Sequence, residues 1–164
     1  MPTTRPATPA DAAEMAELLN EIIELGGSTA YEEPFDISTM DHHYILAPGR
    51  IACTVAEDNG EIVGFQGLFW PGKGDDPLPE GWAYIATFTR IGRTGIGVGR
   101  ALFAATRAAA RAAGVKTIDA TIRADNGSGL AYYGRMGFVD YDRIAAVPLQ
   151  DGTPVDRVRK RLDL

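Results

Sequence analysis

Apolar residues recur at helical spacing early in the chain, where Met15, Leu18, Leu19, Ile22 and Leu25 share a face and Glu14, Glu17, Glu21 and Glu24 take the others. Thr8-Pro9-Ala10-Asp11 before them reads as an N-cap, a first-turn proline and a capping-box acid, and Gly26-Gly27 after them as a stop. The pattern predicts a first helix behind a short extended run, Thr3 to Ala7. Residues 28–36 read as an irregular polar-aromatic loop, and Ile37 to Leu46 as a short second helix ended by Pro48-Gly49. The period then changes to two. Ile51, Cys53 and Val55 alternate with smaller or polar neighbours, Asn59-Gly60 supplies a tight turn, and Ile62 to Trp70 returns as the second strand of a hairpin. Pro71 to Gly81, with three prolines and three glycines, is a surface loop, and the aromatic, Thr-rich run Trp82 to Thr89 adds a third antiparallel strand.

Beyond this meander the pattern alternates between helix and strand. A glycine-rich turn at 92–99 leads to a helix at 100–113, a strand at 115–123, a helix at 127–136, a strand at 138–146 and a last strand at 154–162. Strand-helix-strand units of this length imply right-handed crossovers and parallel pairing. The predicted class is α+β, a central mixed sheet with an antiparallel meander, a parallel strand-helix-strand core and helices on both faces. The last strand carries Arg157, Arg159, Lys160 and Arg161, which reads as an edge guarded by charge.

At 164 residues the chain has the size of one domain, taken as 1–164. Its formal charge of −6 argues against a global attraction to nucleic acid or anionic lipid. There is no long apolar run for a membrane span and no apolar secretory segment near the start, so a cytoplasmic protein is expected. The single cysteine, Cys53, rules out an internal disulfide and a multi-thiolate metal site. It lies in phase with Ile51 and Val55 and reads as a small packed hydrophobe. The adjacent His42 and His43 cannot share one face of a helix or strand, so no metal is expected.

The most informative segment is Arg93-Thr94-Gly95-Ile96-Gly97-Val98-Gly99-Arg100, where a strand ends and a helix begins. A helix N-terminus offers free N–H groups and the positive end of the helix dipole, and glycines allow a phosphate to approach them closely. The segment from Thr94 to Arg100 therefore reads as an anion cradle. Arg100 projects beside it, on a face shared with Arg107 and Arg111. A dinucleotide fingerprint would need a small residue at position 100 or 102, where Arg100 and Leu102 stand, and no P-loop is present.

Strand, x-x-Gly-x-Gly, a Leu-containing helix and a strand, then Asn126 with Tyr133 seven residues on and Gly137-Phe138 closing the run, resemble the GCN5-related N-acetyltransferases (GNAT) over residues 82–140. The resemblance implies that acetyl-CoA is the cosubstrate. It places the coenzyme pyrophosphate on Thr94, Gly95, Ile96, Gly97, Val98, Gly99 and Arg100, and the pantetheine along Phe88, Thr89, Asn126 and Tyr133. A backbone N–H near Phe88 would polarise the acetyl carbonyl. Tyr133 is the candidate acid for the departing thiolate, a role that suits a phenol held next to sulfur. The family carries Gln or Arg where this chain has Thr94, and many members have a Glu on the strand before the turn, which Trp82 to Thr89 lacks.

The run Ser28 to Pro34 resembles the acceptor-bordering loop of the phosphinothricin acetyltransferase branch. That likeness implies an acceptor site at Tyr31, Glu32 and Glu33 and a small-molecule amine as substrate, and the family resemblance a homodimer. The base is a water relay or a carboxylate from elsewhere, Glu32 or Glu33 being nearest, with Glu33 taken as the candidate. The alternative reading is a non-catalytic acyl-CoA-binding or sensing module.

Overall fold

The computed structural model describes residues 2–93 and 95–164. A strand β1 (Thr3–Pro6) enters a single 3₁₀ turn (Pro9–Asp11) and then α1 (Ala12–Leu25). Asp11 accepts from the Thr8 N–H at 2.8 Å, as the capping-box pattern predicts, and both of its oxygens also take the guanidinium of Arg5 at 2.8 Å. Gly26, at φ 74°, ends the helix. The predicted second helix forms only in part. α2 (Ile37–Met40) runs directly into a π-helical turn, Asp41–Ile45, closed by the Leu46 N–H on the Asp41 carbonyl at 2.7 Å. The wider turn buries Tyr44 and Ile45 together against the sheet.

The meander is as expected: β2 (Arg50–Asp58), β3 (Glu61–Phe69) and β4 (Trp82–Thr89) pair antiparallel in sequence order, with β1 on the outer side of β2. Next come α3 (Val98–Ala112), β5 (Thr117–Arg123), α4 (Gly127–Arg135), β6 (Val139–Pro148) and β7 (Pro154–Asp163). The seven strands lie in the order β1-β2-β3-β4-β5-β7-β6.

That order corrects two expectations. β6 does not pair with β5, and β7 is not the edge: β7 lies between them, antiparallel to both. The connection between β6 and β7, closed by Leu149 N–H to the Thr153 carbonyl at 2.9 Å, makes them a hairpin whose second strand docks on β5. The charges of β7 are largely paired within the sheet rather than guarding a border. Arg159 meets Asp119 at 3.3 Å, Lys160 meets Asp140 at 2.5 Å and Arg161 meets Asp163 at 2.8 Å.

Period-two alternation divides the core between the two faces of the sheet. Val55, Phe65 and Phe88 pack on α1 and Tyr44, whereas Ile85, Ile118 and Ile122 pack with Phe103, Tyr133 and Phe138 on the other face. β4 and β5 are parallel but pair at only three positions, Trp82 with Thr117, Ala83 with Ile118 and Tyr84 with Asp119. Past Tyr84 the ladder stops. Ile85–Thr89 then pairs only with β3, and Ala120–Arg123 only with β7, so a gap opens toward the C-terminal ends of the two parallel strands.

Candidate active site

α3 begins at the mouth of this gap. Gly95 and Gly97 hold φ of 85° and 81°, a left-handed backbone that favours glycine, and a Cβ on either would meet nothing within 4 Å. Ile96 and Val98 turn inward onto Ala56, Val63 and Leu102. The first backbone bond of the helix runs from Ala101 N–H to the Gly97 carbonyl at 3.0 Å, so the N–H groups of Val98, Gly99 and Arg100 precede the helical ladder. Arg100 is exposed beside them, while Arg93 is held by Asp58 and Glu61. Thr94, the remaining predicted member of the cradle, lies outside the described residues. Gly99 has a reason of its own that the sequence did not disclose: a Cβ there would come within 2.6 Å of the Tyr132 ring.

The backbone of β4 refines the expected cosubstrate contacts by one residue. Arg90 donates to the Val63 carbonyl at 2.8 Å, and the antiparallel alternation carried back from that bond turns the N–H and C=O of Phe88 toward β3. A Cβ on Gly64 would accordingly lie 3.1 Å from the Phe88 carbonyl. The backbone groups of Thr87 and Thr89 therefore face the gap. The side chain of Phe88 lies on the other face, with its ring 6.2 Å from that of Tyr31.

On the α3 side of the sheet, α4 delivers two tyrosines. Asn126 caps this helix by accepting the Gly129 N–H at 3.0 Å. The Tyr133 hydroxyl lies 2.8 Å from Thr87 Oγ1, and the Tyr132 hydroxyl donates to the Gly99 carbonyl at 2.7 Å. Both phenols turn inward, so the two are distinguished by partner and not by one of them facing away. Burial pushes the Tyr133 phenol well above its usual range, with the Thr87 hydrogen bond opposing, and pushes Tyr132 up to about 12. Each is a protonated phenol at neutral pH. Gln66, which sequence reasoning passed over, is fully buried and donates to Thr87 Oγ1 at 2.8 Å and to the Tyr132 hydroxyl at 3.0 Å. A lone amide in the apolar run Ile62–Phe69 was the signal available for it.

The loop 28–36 closes over the other face. Asn20 grips both backbone groups of Phe35, at 2.7 and 2.8 Å, and Arg123 at the end of β5 donates to the Thr29 carbonyl at 3.1 Å. Tyr31 shares a 2.8 Å hydrogen bond with Tyr44. Glu32 accepts the Gln150 N–H at 2.9 Å and Glu33 accepts the Gln150 side-chain amide at 2.6 Å, which latches this loop to the β6–β7 connection. Tyr31, Glu32, Glu33, Phe35, His43 and Gln150 line a cavity of about 330 Å³ there. The structure thus groups Tyr31, Glu32 and Glu33 at one cavity, apart from the Tyr133 side of the sheet.

Of the remaining candidates, Cys53 and His42 stay outside these two groups, while His43 borders the cavity of Tyr31, Glu32 and Glu33. Cys53 is buried, and burial pushes its thiol up to about 12. His42 and His43 are exposed, with His43 Nδ1 lying 3.0 Å from the Thr39 carbonyl. Among the described residues no three His, Cys, Asp or Glu side chains group to hold a metal ion, and no helix is long and apolar enough to cross a membrane.

Residues 14–138 match the acetyltransferase (GNAT) family model. The chain belongs to the GNAT family. It is 32% identical over 150 residues to an aminoglycoside N(6')-acetyltransferase type 1 from Stenotrophomonas maltophilia, covering 87% of this chain and 90% of that protein. It superimposes with a TM-score of 0.85 on a GNAT-superfamily phosphinothricin acetyltransferase from Sinorhizobium meliloti solved with acetyl-CoA, at 22% identity over 99% of this chain and 88% of that one. A ribosomal-protein-alanine N-acetyltransferase from Brucella melitensis gives a TM-score of 0.82 at 23% identity, covering 98% and 99% of the two chains. This GNAT chain is an acyltransferase, and acetyl-CoA is bound in its structural relatives. Its residues fit that cosubstrate: unladdered amides at the α3 terminus suit a pyrophosphate, and the open β4–β5 gap offers backbone groups to an amide-bearing arm.

Proposed function

We propose that the protein transfers an acetyl group from acetyl-CoA to the primary amine of a small molecule by direct attack, with no covalent enzyme intermediate. The observation that carries this reading is the Tyr133 hydroxyl, 2.8 Å from Thr87 where β4 and β5 have parted, together with α3 amides that have no helical partner among the described residues. Acetyl-CoA supplies the acyl group as a thioester with a thiol leaving group. Gly95 to Arg100 hold its pyrophosphate, and Asn126 and Tyr133 border its arm. The N–H groups of Thr87 and Thr89 hydrogen-bond to that arm and polarise the carbonyl. Tyr133 gives its proton to the departing sulfur.

Tyr31, Glu32 and Glu33 border the acceptor on the face of the sheet opposite Tyr133, so the amine meets the thioester at the β4–β5 gap and passes its proton to Glu33 on that side. Two acids at one cavity suit a cationic amine, and the aminoglycoside-acetylating relative supports a small-molecule acceptor. A non-catalytic acyl-CoA-binding module is the second reading, favoured by the absence of any carboxylate on β4. Release of free CoA thiol, measured with acetyl-CoA and a panel of amines that includes aminoglycosides and amino acids, separates the two. Acetyl transfer predicts amine-dependent release, and Tyr133→Phe lowers kcat about 100-fold while leaving acetyl-CoA affinity within about twofold. Equal loss of both would remove the acid role.

A further inference from the structure

The hydrogen-bonded row behind Tyr133 has a proton order that its partners impose as far as Thr87. Tyr132 owns one hydroxyl proton, and the Gly99 carbonyl, 2.7 Å away, takes it. The Tyr132 oxygen therefore accepts from Gln66, whose two amide protons are spent on Tyr132 at 3.0 Å and on Thr87 at 2.8 Å. Turning the Gln66 amide over would set an oxygen against the Tyr132 oxygen, which has no proton left for it, and would strand two buried donors. Thr87, accepting from Gln66, keeps its own hydroxyl proton 2.8 Å from the Tyr133 oxygen, in a pair where either oxygen can donate; with Thr87 as the donor, the Tyr133 proton is left free.

The register makes this row possible. Gln66 and Thr87 are direct cross-strand partners on β3 and β4, and the successive tyrosines of α4 straddle them. Gln66 also carries an unusual cost. It is fully buried, and its Oε1 has no partner among the described residues. A leucine there would remove that unmet acceptor, so packing alone does not account for a glutamine.

We propose that Gln66, Thr87 and Tyr132 are positioning residues for the Tyr133 acid: they make the phenol oxygen an acceptor inside the protein, leaving its own proton to be given away. The proposal rests on the acid reading of Tyr133. When the phenol O–H bond breaks and the proton passes to sulfur, the phenolate oxygen keeps the Thr87 hydrogen bond, and Thr87 remains ordered by Gln66. Through Tyr132 the same row grips the Gly99 peptide in the first turn of α3, joining the acid to the pyrophosphate cradle.

The test uses the full chain with Thr87→Val, Thr87→Ser, Gln66→Leu and Tyr133→Phe, read by kcat with the best acceptor found, by acetyl-CoA affinity, and by the ¹³Cζ resonance of Tyr133 in tyrosine-labelled protein. Thr87→Val is expected to lower kcat about 10-fold at nearly unchanged acetyl-CoA affinity and to shift the Tyr133 resonance, while Thr87→Ser returns both toward wild type. Gln66→Leu is expected to lower kcat comparably without lowering the melting temperature, and the Gln66→Leu/Thr87→Val double variant to be no worse than either single one. A wild-type kcat or an unmoved resonance in Thr87→Val, with Tyr133→Phe impaired, overturns the row alone. A wild-type kcat in Tyr133→Phe overturns the acid reading, and the row's catalytic role falls with it.

Discussion

Asp11 shows how much one side chain can be asked to hold. It takes the Thr8 N–H and both arms of the Arg5 guanidinium, which also reaches Glu57 on β2 at 2.8 Å. The Arg5 hydrogen bonds hold its carboxyl below the usual range, against the opposing effect of burial. A carboxylate whose folded pKa is depressed lends stability that is present above its unfolded value, about 3.9, and is lost as pH falls through the folded one. Asp11→Asn is therefore expected to be about 1 kcal/mol less stable at pH 7, a modest figure because Arg5 is partly solvated, with the gap to wild type narrowing below about pH 4. Urea melts of the two proteins at pH 7 and pH 3.5 measure this.

At the scale of elements, the first turn of α3 separates two kinds of glycine. Gly97→Ala keeps open space around the new methyl group and carries only the strain of a left-handed backbone, about 1 kcal/mol. Gly99→Ala must displace the Tyr132 ring, and with it the hydrogen bond that anchors the Gly99 peptide. Its expected mark is a several-fold rise in the KM for acetyl-CoA, larger than its loss of melting temperature suggests; steady-state kinetics beside thermal melts decide it. The contrast also shows what the chain disclosed before folding. Helical spacing from Met15 to Leu25, the Asn59-Gly60 turn and the glycine run are local signals, and the elements they predict are present. The position of β7 is not local, since it depends on a hairpin docking against a strand about 40 residues earlier, and charge on a strand looks alike at an edge and in a paired interior. The π-helical turn after α2 likewise answers to the burial of Tyr44. The glycine turn before α3 and the place of Tyr133 on α4 were legible along the chain, and the roles proposed for them came with the family resemblance. Gln66 and Tyr132 act through cross-strand register and helix docking, which spacing along the chain does not encode.

For the molecule as a whole, the cosubstrate should brace the seam at which β4 and β5 part. The β4–β5 seam has three paired positions, and α3 and α4 approach it from either side. Acetyl-CoA at about 100 times its Kd is expected to add roughly 2.7 kcal/mol, several degrees in melting temperature for a domain of this size, while ATP and NAD at the same concentration add little. A thermal-shift series with the three ligands measures the difference.

The interleaving of β7 between β5 and β6 also orders events in time. As the chain is synthesised, β1 to β4 can pair as each emerges, because every partner in that half precedes or adjoins the next. β5 and β6 have no such option: each has its main partner in the one strand that follows them both. The half of the sheet carrying Asp119, Arg123 and one wall of the gap is assembled last, around a strand that arrives like a keystone. The cleft thus lies between a half paired in chain order and a half closed by its last strand, and its β5 wall has its full pairing only once β7 is in place.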